Sequence, residues 1–199
     1  MGYRIRVLAL RDEPIDVDDL RATLPRGQEL DIAFGEPPLW SQIVLKHIEG
    51  PDIALVERDP VLPGELGSDE IQEYLQEIQG EKPDSAIKWL TEFLPKVKVI
   101  YALQILYGSE VNDGWAGIHA VQAKIWQTLG GILQADAEGF TNEHGHQITW
   151  QFDADHKTNW TMSVLDGRGM WQAFEMRLDD PMQKRAFLEG RIPPDAKLL

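Results

Sequence analysis

The chain has 199 residues, 43% hydrophobic and 26% charged, a mixture that supports a packed core and is unlike that of a disordered segment. With no cysteine, it excludes a disulfide scaffold, a thiolate nucleophile and any Cys-ligated zinc or iron–sulfur centre. A net charge of −14 with no local basic patch repels phosphate backbones, so nucleic acid is not an expected partner.

Tyr3 to Leu10 alternates polar and apolar residues and predicts a strand. Charge at Arg11-Asp12-Glu13 follows before any signal-peptide pattern, and Arg6 stands where myristoylation of Gly2 needs Ser or Thr. No apolar stretch approaches the roughly 20 residues of a membrane helix. A cytoplasmic protein without membrane contact is therefore expected. Pro14 to Leu20 predicts a helix start, its acids placed where the helix dipole favours them, and Leu24-Pro25-Arg26-Gly27 stops it. Leu30 to Phe34 is a short strand. Gln42 to Ile48 and Asp52 to Glu57, joined by Glu49-Gly50-Pro51, predict a hairpin. Residues 1–60 thus read as β-α-β-β-β.

Ile71, Leu75 and Ile78 have helical spacing, with Glu70, Glu73 and Glu77 assigned to water. Beyond Gly80 and Pro83, a second helix carries Ala86, Trp89, Leu90 and Phe93. Between Glu57 and Glu92, ten acids face Arg58, Lys82 and Lys88, a net of −7 and half of the surplus charge. That segment reads as a solvated helical face, or as a docking surface for a basic partner. Val97 to Leu106 predicts a central strand. Trp115, Ile118, Val121, Ile125, Trp126 and Leu129 then mark a helix ended by Gly130-Gly131. Strands are predicted at 132–134, 147–152, 159–165 and 171–178, and a terminal helix at 182–188.

These elements predict an α+β fold with two β-α-β-β-like halves and mainly antiparallel sheet, bridged by an acidic helical segment. The expectation is one compact protein over 1–199, with halves at 1–60 and 97–178 joined by helical segment 64–94.

The residues that could carry chemistry are few. His144 and His146, two apart, would project to one face of a strand. With Asp153 and His156, and His119 in reserve, they form a candidate metal set. The competing reading is ordinary turn chemistry around Gly145. Gly130, Gly131 and Gly139 match neither a P-loop nor a dinucleotide fingerprint. No serine elbow is present. Gly167-Arg168-Gly169 predicts a hairpin tip, where Arg168 could grip an anion. Of seven tryptophans, Trp150, Trp160 and Trp171 on successive strands could line a ligand pocket or an interface, and Trp40 is predicted to be partly exposed. The leading expectation is an accessory or regulatory protein-interaction module, with a protein partner or self-association and no cofactor. The alternatives are a metal-assisted hydrolase at the His/Asp cluster and a small-ligand sensor with a tryptophan-lined pocket.

Overall fold

The computed structural model describes residues 2–152 and 158–199. In chain order the elements are β1 (Arg4–Ala9), α1 (Val17–Arg21), β2 (Gln28–Phe34), β3 (Gln42–His47), β4 (Asp52–Pro60), α2 (Leu66–Glu77), α3 (Asp84–Phe93), β5 (Val99–Ile105), α4 (Gly114–Leu129), β6 (Ile132–Ala135), β7 (Gly139–Phe140), β8 (Asn159–Leu165), β9 (Trp171–Arg177), α5 (Pro181–Leu188) and β10 (Lys197–Leu198). The fold is α+β, and its named strand pairs are antiparallel. Among the described residues no helix is long and apolar enough to cross a membrane. The chain divides into two compact units, Met1–Glu70 with Val97–Gly131, and Ile71–Lys96 with Ile132–Leu199.

In the first unit, the strands run in the order β2-β3-β4-β5-β1. The sequence order β1-α1-β2-β3-β4 agrees with the predicted pattern, and β5 inserts between β1 and β4. Val99 to Leu103 are buried without a break, as suits an unbroken apolar run in a central strand. Helix α4 packs on β1, β3, β4 and β5. It buries Ile118, Val121, Ile125 and Leu129, the stripe that a 3.6-residue period places on one face. At its end the chain turns sharply through Gly131, with φ +108°, where a Cβ would land on the Leu8 carbonyl oxygen.

Trp40 corrects the sequence expectation. It is 1% exposed, because its indole fills the interior beside Tyr101, at 5.8 Å between ring centroids, and Nε1 donates to the Ile15 carbonyl at 2.8 Å. Glu70 also departs from it: instead of facing water it pairs with the Arg6 guanidinium at 2.6 Å and is half-buried. Glu73 and Glu77 are exposed, as the amphipathic pattern of α2 requires.

The second unit is organised around a three-stranded sheet in the order β10-β9-β8. Met162, Val164, Phe174 and Met176 from β8 and β9 form its core with Phe152, Leu178 and Phe187. Helix α5 starts cleanly because Asp180 Oδ1 accepts from the amides of Met182 and Gln183, and Pro181 fits the first turn. Residues 147–152, predicted as a strand, make only isolated bridges through Gln147. Side chains take over the hydrogen bonds that a ladder would use. Thr149 Oγ1 accepts from the Phe140 amide at 2.7 Å, and Gln147 Nε2 donates to the Glu138 carbonyl at 2.6 Å.

The Gly131→Ala substitution is expected to destabilise the protein by about 2 kcal/mol or more, since it adds a steric clash to an unfavourable positive φ. Gly64→Ala, at φ +84° with nothing within 4 Å, should lose only about 1 kcal/mol. Urea unfolding of both variants measures the difference.

Candidate functional site

The turn carrying the histidines is built around Asn142, which is completely buried. Its Oδ1 accepts from the His144 and His146 amides at 2.9 and 3.0 Å, a side chain substituting for a backbone partner. His144 and His146 therefore sit in a turn rather than on a strand, yet their rings come within 6.0 Å of each other. His144 is exposed and His146 half-buried, with Nδ1 3.5 Å from the buried Ser163 hydroxyl. Burial, and then the neighbouring His144, lower the His146 pKa below the ordinary 6.5. Asp153 and His156 lie outside the described residues. His119 is exposed on α4 in the first unit, its ring 5.8 Å from that of Trp115. Among the described residues no group of three or more acids and histidines converges to hold a metal ion.

The strand tryptophans separate into two groups. Trp150 and Trp160 flank Phe152, at 5.4 and 5.1 Å between ring centroids, as part of the second unit's packing. Trp171 instead meets Trp89 edge-on at 5.3 Å, and its Nε1 donates to Glu143 Oε2 at 3.2 Å. Arg168 is exposed at the tip of the β8–β9 hairpin, where Asp166 Oδ1 accepts from its amide at 2.8 Å.

Sequence reasoning missed the surface around the β2–β3 loop. β2 is the outer strand of the first unit's sheet. β2 ends in Phe34, 65% exposed, and the loop that follows carries Leu39, 64% exposed, with Gly35 and Pro37-Pro38 between them. Trp40 anchors the loop from below, and the Ser41 amide closes it on the Phe34 carbonyl at 3.0 Å. Part of the β2 edge is covered: Arg21 Nε and Nη2 both donate to the Leu30 carbonyl, at 3.1 and 2.9 Å. Lys46 bridges Asp31 and Glu29 at 2.5 and 3.3 Å, and these two acids raise its pKa, Asp31 more strongly. From Asp12 to Glu36 the chain has eight acids and two arginines, a net of −6. A large apolar residue beside each end of a Gly/Pro turn was the available signal, because solvent-facing turns normally carry polar residues.

No family model, curated protein or solved structure matches the chain. The site is thus defined by its geometry alone.

The lowered pKa of His146 implies that its contribution to stability is complete above the unfolded value near 6.5 and is lost as pH falls below it. Proton titration by NMR should place His146 below 6.5, and His144→Gln should raise it because the like-charged neighbour is gone while burial remains. An unchanged value in that variant would show that the two rings do not interact.

Proposed function

We propose that the protein is an accessory or regulatory module of the cytoplasm that recognises a basic protein partner through the β2–β3 loop. The observation that carries this reading is the exposure of Phe34, at the end of β2, and of Leu39, on a loop pinned by a buried tryptophan. Burying two such side chains against a partner contributes about 1.5–3 kcal/mol each, and a preformed loop avoids much of the ordering cost. The segment from Asp12 to Glu36, with eight acids against two arginines, favours a basic partner and speeds its encounter. The acidic exposed face of α2 is a second surface of the same sign.

The alternative is metal-assisted hydrolysis at the histidine turn, supported by the proximity of His144 and His146. It requires further ligands beyond this pair.

The experiment is native mass spectrometry of the full chain purified from its own cells without chelator, beside the Phe34→Ser, Leu39→Ser double variant. Both positions are exposed, so stability should change by about 0.5 kcal/mol or less. The expected result is a stoichiometric complex with a basic protein that survives chelator and is lost in the double variant. A complex that persists in the double variant would contradict the assignment of the loop. A homodimer lost in the variant would assign it to self-association instead, and a chain carrying only a stoichiometric metal would favour the hydrolase.

A further inference from the structure

A cleft in the second unit is independent of the β2–β3 loop and of the histidine turn. It lies between the start of α3 and helix α5, and its volume is about 820 Å³. That is within the range of roughly 300–1,000 Å³ that small-molecule sites occupy. The two walls meet closely: a Cβ at Gly190, just beyond α5, would lie 3.7 Å from Ser85 Oγ and 3.8 Å from Pro83 Cβ. Leu165, Pro181 and Leu188 supply apolar lining.

The charges in the cleft are not equivalent. Lys82 is neutralised by Asp84 at 2.7 Å, and Arg185 by Glu189 at 3.0 Å, both pairs lying in the lining itself. Lys184 has no carboxylate partner among the described residues. Its ammonium instead rests 4.5 Å from the centroid of the Trp150 ring, where the negative face of the indole holds it in place. A half-buried lysine, its ammonium positioned by an indole beside an apolar lining, stands out in a chain of net charge −14. An ammonium offers three donors and no acceptor, so an anion that also presents apolar surface matches both features of the cleft.

We infer that this cleft binds a small amphipathic organic anion, with its charged group on Lys184 and its apolar body against Leu165, Pro181 and Leu188. The ion pairs at Lys82 and Arg185 shape the walls and leave Lys184 to discriminate charge. Recognition of this kind selects one anionic group on a hydrophobic body and gives little preference to free inorganic anions, which leave the apolar lining uncovered.

The test titrates the full chain with two fluorescent probes of similar shape, anilinonaphthalene sulfonate, which is anionic, and phenylnaphthylamine, which is neutral. Lys184→Met keeps the apolar stem and removes the charge. Ser85→Glu places a negative charge on the opposite wall, in the first turn of α3, where an acidic residue is compatible with the helix dipole. The expected result is saturable sulfonate binding that weakens about tenfold or more in each variant. Binding of the neutral probe should stay within about twofold of the parent in both. Absence of saturable sulfonate binding would overturn the inference. So would sulfonate affinity unchanged in the variants, or an equal loss for both probes.

Discussion

The first unit depends on one buried indole. Trp40 donates to the Ile15 carbonyl and packs on Tyr101, whose hydroxyl accepts from Arg58 Nε at 3.3 Å. Arg58 Nη2 in turn donates to the Asp12 carbonyl at 3.1 Å. Residues 12–16, which have no regular structure, are thereby fastened at two carbonyls to β4 and to the β2–β3 loop. Burial pushes the Tyr101 pKa up, opposed by Arg58, so the phenol stays neutral and keeps its role as acceptor and packing surface. A buried indole N–H left without its acceptor would cost about 1–3 kcal/mol, so the loop and the segment before α1 hold each other in place. The exposure of Phe34 and Leu39 follows from that arrangement.

The second unit solves a similar problem with smaller residues. Between β7 and β8, Asn142, Gln147 and Thr149 are buried, and each uses its side chain to complete backbone hydrogen bonds. Such a segment needs no ladder to be ordered. It also explains how two histidines come close together: Asn142 curls the chain so that both amides reach one oxygen.

Much of the fold was legible because it rests on periodicity. The stripe of α4 from Ile118 to Leu129, the apolar run of β5 and the hairpin of β3 and β4 are short-range patterns that packing only confirmed. What could not be read depends on partners distant in sequence. Trp40 follows two prolines and looks like a surface residue until Ile15 and Tyr101 are placed around it. Glu70 has the spacing of a solvated helix residue, yet Arg6 draws it inward. Residues 147–152 alternate like a strand, but Thr149 and Gln147 compete for the hydrogen bonds. The cleft beside α5 brings together residues near 82, 165 and 185, and no local pattern announces that meeting.

Hydrogen–deuterium exchange of the protein alone and in the complex recovered from its own cells shows whether the β2–β3 loop is the surface that meets the partner. Slower exchange is expected in the complex over residues 28–41 and at the adjoining α1, with the rest of the first unit unchanged. Exchange over 28–41 that is the same in the free and bound protein would contradict it, and the segment that slows instead would identify the true contact surface.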